Sequence, residues 1–146
     1  MGSVMAPPAP WPLQTRLEVA AQPTAPSVVR GHVRAVAGEW GLVGLADTAE
    51  LLASEIATNA VQASQRLRIR ADLAAVPVIR LWVTTNGVSM VIHVWDGSDE
   101  MPVIKDVAAD EENGRVLMLV AALSKDWGAY RKAQGKVVWV MAAADP

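Results

Sequence analysis

The first third of the chain changes from a two-residue to a helical pattern of apolar positions. Residues 15–22 alternate between polar and apolar side chains, which predicts a strand with one buried face. From about Ser27, apolar residues recur at helical spacing as far as Trp40, and this predicts an amphipathic helix. The glycines of residues 41–44 should end it.

A second helix is predicted from Asp47 to about Ser64. Asp47 and Glu50 have the spacing of a capping box at its start. Glu55 and Asn59 lie one turn apart among apolar residues, although an unpaired buried carboxylate is costly. The two side chains therefore either face solvent or line a cavity that holds a cation or a polar ligand, and this helix alone leaves both open.

Two hairpins are predicted in the second half of the chain. Asn86-Gly87 separates two β-rich runs, which indicates a hairpin with a type I′ turn. His93 lies inside the second run, and we expect it to be a packed residue rather than a catalyst. The last hairpin, within 127–143, should turn near Gln134-Gly135.

The predicted order of elements is β-α-α-β-β-α-β-β. A polar, acid-rich connection over 97–113 is typical of a lid or a partner-binding loop, and 114–127 should form a buried helix. Arginines at 66, 68 and 70 indicate a solvated strand face or helix tail more readily than a phosphate patch. We therefore expect an α+β fold, a two-layer sandwich with a mixed, mostly antiparallel sheet and helices on one face.

Composition narrows the class of protein. With 52% hydrophobic and 19% charged residues, the 146-residue chain can bury the core of one domain, assigned to 15–146. A Pro-rich lead-in over 1–14 should be flexible. The net charge of −2 argues against direct nucleic-acid binding. The chain has no cysteine and no apolar run of roughly 18 residues, and its first residues lack the pattern of a signal peptide, so we expect no disulfide, no signal peptide and no membrane span. A cytoplasmic location is the matching expectation.

Three glycine-containing dipeptides lie, in chain order, at the ends of predicted elements and are candidates for a ligand-binding site. Asp96-Gly97 ends a predicted strand at the mouth of the connection. Gly114-Arg115 opens the helix after it, where free backbone N–H groups and the helix dipole favour phosphate. Gly135-Lys136 leads into the last strand. In isolation, each is more readily explained as an ordinary turn or hinge.

Taken together, four stretches resemble one family. "SEIATNAVQAS", "VWDGSD", "NGRVLMLVAALSKDWG" and "GKVVWV" look like the N, G1, G2 and G3 boxes of the GHKL (histidine-kinase-like) ATPase superfamily, which has the Bergerat fold. The nearest branch is the small single-domain ATP-binding proteins related to anti-sigma-factor serine kinases. The resemblance extends over nearly the whole chain from about residue 15.

The resemblance implies a role for each motif residue. Asn59 would be a ligand of the Mg²⁺ that bridges the ATP phosphates, and Glu55 would be the catalytic base that orients or deprotonates the attacking hydroxyl. Asp96 would accept a hydrogen bond from the adenine amino group, and Gly97 would let the ring approach the backbone. The remaining cofactor-binding residues would cradle phosphate (Gly114, Arg115, Val116 and Leu117) or border the adenine (Gly135 and Lys136).

Two functions follow from the resemblance. One is an ATP-dependent serine/threonine kinase that phosphorylates an anti-anti-sigma partner and holds a sigma factor inactive, acting as a homodimer. The other is a non-catalytic binding module with a degenerate nucleotide site. The second is favoured by Ser98, Val116 and Val137, which stand where the family usually has glycine, glycine and threonine. A sensor histidine kinase is rejected, because neither His32 nor His93 lies on an upstream dimerising helix.

Overall fold

The computed structural model describes residues 11, 13–101, 120 and 123–143, and the elements within these ranges have the predicted types and order. The lead-in before residue 11, most of the predicted helix over 114–127 and most of the acid-rich connection lie outside them. A short 3₁₀ turn over Val43–Leu45 precedes the second helix. The helices and strands are β1 (Leu13–Ala20), α1 (Ala25–Glu39), α2 (Ala46–Arg70), β2 (Val78–Thr85), β3 (Ser89–Asp96), β4 (Asp126–Lys132) and β5 (Gly135–Ala143).

The five strands form one open sheet in the order β1-β2-β3-β5-β4. All four pairings between these strands are antiparallel, so no parallel pair accounts for the "mixed" part of the prediction here. Both helices contribute to one hydrophobic core with the sheet. The α+β, two-layer arrangement predicted from the sequence is confirmed at this level. No helix in the described ranges combines the length and apolar character needed to cross a membrane.

The first strand begins two residues earlier than predicted. Leu13 pairs with Thr85, so β1 begins inside the predicted lead-in, and it ends at Ala20. The alternating pattern predicts the strand, but its ends depend on the length of its partner β2, which the local sequence does not contain.

The predicted capping box of α2 is wrong. Leu45 occupies the N-cap without a side-chain cap, and Asp47 lies inside the first turn. Asp47 and Glu50 instead form ion pairs with Arg34 of α1. A guanidinium from the neighbouring helix offers both carboxylates charge-assisted hydrogen bonds, which are stronger than a cap to a neutral backbone N–H.

The C-terminal end of α2 extends to Arg70, six residues beyond the predicted end. The arginine-rich stretch is thus a helix tail, which was one of the two preferred interpretations. Arg66 and Arg70, one turn apart, both hydrogen-bond Glu100 at 3.1 and 3.0 Å. Burial raises the pKa of the Glu100 carboxyl, but the two arginines outweigh it and hold the pKa below its usual value.

Both hairpins form where the sequence predicted them, but their turns differ from expectation. At Asn86-Gly87, only the glycine has a positive φ, 93°, so the type I′ turn is wrong there. The Asn86 side chain instead accepts hydrogen bonds from the N–H groups of Val88 and Ser89. The β4–β5 hairpin turns at Ala133 and Gln134, whose φ values of 49° and 58° are both positive, as a type I′ turn requires.

Candidate functional site

The end of β3 and the start of β5 hold a buried ion pair. Asp96 lies directly opposite Lys136 in the register of these strands. The Lys136 Nζ is 3.0 Å from Asp96 Oδ1 and 2.9 Å from Oδ2, and each side chain is only 1% exposed. Because side chains alternate along a strand, both point to the face that carries Val94 and Val138, which belong to the core shared with the helices. Two of the predicted site residues are therefore in direct contact.

Most of the acceptor capacity of Asp96 is already used. Its Oδ1 accepts from Lys136 and, at 2.8 Å, from the backbone N–H of Ser98, while the partner of Oδ2 among the described residues is Lys136. A carboxylate offers about four acceptor sites, so one on Oδ2 remains. Burial raises the pKa of the Asp96 carboxyl, against the lowering effect of Lys136 and of the Ser98 N–H. The Asp96 carboxylate is therefore paired mainly within the protein, and little of its acceptor capacity is left for a ligand.

Ser98, where the family pattern has a glycine, is part of this turn. It is completely buried, and its Oγ accepts a hydrogen bond from the backbone N–H of Glu100 at 3.1 Å. Ser98 thus connects the Asp96 end of β3 to Glu100, which the two arginines of α2 hold from the other side. The hydroxyl accepts a hydrogen bond that a glycine could not accept.

The two glycines beside the pair differ in what they allow. A Cβ at Gly135 would overlap the carbonyl oxygen of Asp96 and would lie 2.9 Å from Trp95 Nε1, so this position requires glycine. Within the part of the chain that the structure describes, a Cβ at Gly97 would meet Trp95 and Leu67 at 3.7 and 3.8 Å, which are ordinary contacts. Beside Gly135, residues 131–135 and Asp99 border a depression of about 360 Å³.

The α2 helix carries the other two predicted site residues in the described ranges. Asn59 is 7% exposed, so the interpretation in which both polar residues simply face solvent is wrong for this one. Glu55, one turn earlier, is half-buried, and burial raises the pKa of its carboxyl. Gln62 continues the same face, and its Oε1 is buried with no hydrogen-bond partner within the described part of the chain. This face therefore has unused polar capacity.

The residues on this face suit some cations better than others. Within the described ranges, no group of three or more His, Asp or Glu side chains could hold a metal ion. A single amide oxygen at Asn59 suits Mg²⁺, which keeps several waters and takes its other ligands from substrate phosphates. It does not suit Zn²⁺, whose protein sites normally supply three or four ligands.

The helix connects the two parts of the site. Leu67 of α2 lies against Gly97, and Asn59 precedes it by eight residues, which is about 12 Å along a helix axis. Measured along the axis of α2, Asn59 and the end of β3 that holds Asp96 are therefore farther apart than a single aromatic ring is wide. Val137 stands where the GHKL pattern that the sequence resembles has threonine. Because side chains alternate along β5, Val137 lies on the opposite face from Lys136 and points away from Asp96. Gly114, Arg115, Val116 and Leu117 lie outside the described residues.

The sequence analysis selected Asp96 and Lys136 as candidate site residues, but it did not predict the ion pair between them. Asp96 and Lys136 are 40 residues apart, and nothing in their local sequence predicts the β3–β5 register that joins them. A scan against models of known protein families gives no match, and a search of curated proteins also gives no significant match. The resemblance of the motifs and the geometry of these residues are therefore the observations that bear on function.

Proposed function

We propose that this chain is an ATP-binding regulatory protein resembling anti-sigma-factor serine/threonine kinases, which binds Mg-ATP and controls a sigma factor or an anti-anti-sigma partner. Phosphorylation of that partner is its candidate enzymatic activity. One observation carries the proposal: α2 buries Asn59 and, two turns later, borders the strand end that holds Asp96. This placement supports a ligand with its base at one end and its phosphates at the other.

The residues have chemistry that fits these roles. Bound Mg²⁺ would neutralise phosphate charge, and the Asn59 amide oxygen would be one of its ligands. Glu55 lies one turn away, and its raised pKa makes the carboxylate a better base at neutral pH. The free acceptor site on Asp96 Oδ2 is available to an amino group, provided that the ligand displaces the groups that now cover it.

A second candidate is a non-catalytic binding module with a degenerate nucleotide site. The observation that favours it is the Asp96–Lys136 ion pair, which leaves the carboxylate 1% exposed and largely saturated. A buried pair of this kind is costly to open, because each charge would then be left in a poorly hydrated place. In this function, the protein would regulate its partner through its surface alone.

Calorimetric titration with Mg-ATP tests the proposal. We expect wild type to bind with a Kd of about 10 μM, and Asn59→Ala to bind at least about tenfold more weakly because a ligand of the metal is lost. Ser64→Ala is the matched control. It removes another buried polar group of α2, one without a partner in the described ranges, and should leave affinity unchanged. Absence of heat with folded wild type at millimolar ATP would overturn ATP binding in favour of the second candidate.

A substitution at Glu55 separates binding from chemistry. Glu55→Gln keeps the size of the side chain and removes its basicity, so it should bind Mg-ATP like wild type while turnover falls by about a hundredfold or more. The measurement is ADP formation with the protein in excess over ATP. Equal turnover in both proteins would contradict the role of Glu55. The partner and the homodimeric state stay predictions from the resemblance, and the cytoplasmic location stays a prediction from the composition.

A further inference from the structure

The face of the sheet opposite the helices carries a second concave site, here called the tryptophan cavity. It has a volume of about 370 Å³, and its side chains come from three neighbouring strands and one hairpin. A volume of this size is within the range of small-molecule sites, roughly 300–1,000 Å³. The side chains that matter are Arg16 and Glu18 of β1, Arg80 and Trp82 of β2, Trp95 of β3 and Lys132 of the β4–β5 hairpin.

The cavity is concave because the β4–β5 hairpin curls over the sheet. The Trp95 Nε1 donates a hydrogen bond of 2.8 Å to the carbonyl oxygen of Lys132, which fixes the hairpin tip against β3. The Lys132 ammonium then lies 5.2 Å from the centre of the Trp82 ring, on β2. The hairpin thus forms a wall on one side of the cavity.

The aromatic floor is held in place before any ligand arrives. Trp82 stacks on His93, with ring centroids 4.8 Å apart and planes inclined by only 10°. The Arg80 guanidinium lies 4.9 Å from the centre of the Trp95 ring. Because these contacts fix the rings, little side-chain entropy would be lost when a ligand packs against them.

The charge of the cavity is positive. Arg16, Arg80 and Lys132 contribute three positive charges, and Glu18, paired with Arg80 at 2.9 Å, contributes the single negative one. This differs from the whole chain, whose net charge is −2. A local excess of two positive charges beside two indole rings selects for a ligand that is both negatively charged and flat.

We propose that the tryptophan cavity binds a small planar aromatic anion, a ring system that carries a carboxylate or a phosphate. The ring would stack on the outer face of the Arg80 guanidinium, whose inner face is already on Trp95. The anionic group would pair with Arg16 and Lys132. The site lies on the other face of the sheet from Asp96, so it does not depend on ATP binding at the proposed nucleotide site.

The test uses 2-naphthoate as the probe and the full chain as the protein. An NMR titration follows the indole N–H signals, and those of Trp82 and Trp95 should shift and saturate with a Kd of about 1 mM or lower. Two matched compounds separate ring from charge: 2-naphthalenemethanol has the ring without the charge, and cyclohexanecarboxylate has the charge without the ring. Each should bind at least about tenfold more weakly, because each loses one of the two interactions.

Variants then test whether 2-naphthoate binds in the tryptophan cavity. Arg80→Gln with Lys132→Met should weaken 2-naphthoate binding by about tenfold or more. Arg68→Gln is the matched control and should bind like wild type, because this arginine hydrogen-bonds the backbone carbonyls of Leu73 and Ala74, just beyond the end of α2. Asn59→Ala should also bind 2-naphthoate like wild type, so failure of the ATP proposal leaves this one unaffected.

Several results would overturn the proposal. These are no saturable shift of the two indole signals, equal binding of the neutral naphthalene compound, or unchanged binding in the double variant. A single-stranded oligonucleotide that shifts the same signals about a hundredfold more tightly than 2-naphthoate would also overturn it, because the surface would then be a nucleic-acid platform.

Discussion

At the scale of single residues, the Asp96–Lys136 pair is the most consequential feature. Two opposite charges with 1% exposure are stable only together, because either one alone would lie in a place that water does not reach. The pair also occupies part of the acceptor capacity of the carboxylate on which the adenine hypothesis depends. Its strength therefore bears on both the stability and the proposed function.

A double-mutant cycle tests this dependence. Lys136→Met should lower the free energy of unfolding by about 3–5 kcal/mol, because it leaves the Asp96 carboxylate without its partner. Asp96→Asn combined with Lys136→Met removes both charges and should cost less than Lys136→Met alone. Urea unfolding measures these values. The exposed pair Glu18–Arg80 is the comparison, where Glu18→Gln should cost less than about 1 kcal/mol. If the effects of Asp96→Asn and Lys136→Met on the free energy of unfolding simply added, the two charges would not depend on each other, and this interpretation of the buried pair would be contradicted.

His93 is the packed residue that the sequence predicted. It is 4% exposed, and its Nε2 lies 3.3 Å from Thr84 Oγ1. Burial, with a smaller contribution from the charge of Lys132, lowers its pKa from 6.5 to about 3. As the pH falls below 6.5, the unfolded chain therefore takes up a proton that the folded chain does not, so stability must decrease.

This gives a pH-dependence prediction. Between pH 7 and pH 5, the protein should lose about 2 kcal/mol of unfolding free energy through His93. His93→Gln should remove most of that loss, whatever its effect at neutral pH. His32→Gln replaces the other, less buried histidine and should retain most of it. Urea unfolding across this range is the measurement, and an unchanged slope in His93→Gln would show that the imidazole is protonated in the folded state.

At the scale of elements, the pairing of neighbouring elements decides at which glycines a side chain would have no room. Gly135 begins β5 against the backbone of Asp96, where a methyl group has no room. Gly31 lies in the middle of α1, and a Cβ there would have no neighbouring atom within 4 Å, so its side is open. The sequence singled out Gly135 as part of a motif, but only the pairing of β3 with β5 shows that a side chain there has no room, whereas one at Gly31 has.

Alanine substitutions should therefore have opposite effects. Gly135→Ala should destabilise the fold by about 2 kcal/mol or more, because β3 and β5 must separate to admit the methyl group. Gly31→Ala should stabilise it by about 0.5–1 kcal/mol through helix propensity. Thermal and urea unfolding of the two variants provide the values. A neutral Gly135→Ala would show that the hairpin can shift without loss.

The element boundaries show where local sequence was informative. Period and turn residues predicted both helices, both hairpins and the first strand. The α2 capping box failed because Arg34, from another helix, claims the two carboxylates. The type I′ turn was predicted at Asn86-Gly87 and occurs at Ala133 and Gln134, where strand pairing imposes the positive φ values. Contacts between elements decided these cases, and propensity did not.

At the scale of the whole molecule, the two faces of the sheet have different properties. The face toward the helices carries the buried pair, and the opposite face carries the tryptophan cavity. The resemblance of the motifs selected Asp96 and Lys136 as candidates on the first face, because motif spacing is a property of the chain, and their roles in binding stay predictions. The second site could not be predicted, because its arginines, tryptophans and lysine come together only through the strand order and the curl of the hairpin.

The most direct measurement is to locate bound ATP, because ATP is itself an aromatic anion and both sites are candidates for it. A Mg-ATP titration followed by NMR should shift the Asn59 side-chain amide and the backbone amides of Gly97 and Gly135 together, with the same Kd. The indole signal of Trp82, which stacks on His93 and is not among the neighbours of Gly97 or Gly135, should stay in place at concentrations that saturate those shifts. If the Trp82 signal moves and the Asn59 amide does not, the nucleotide binds in the tryptophan cavity, and the proposed ATP site is contradicted.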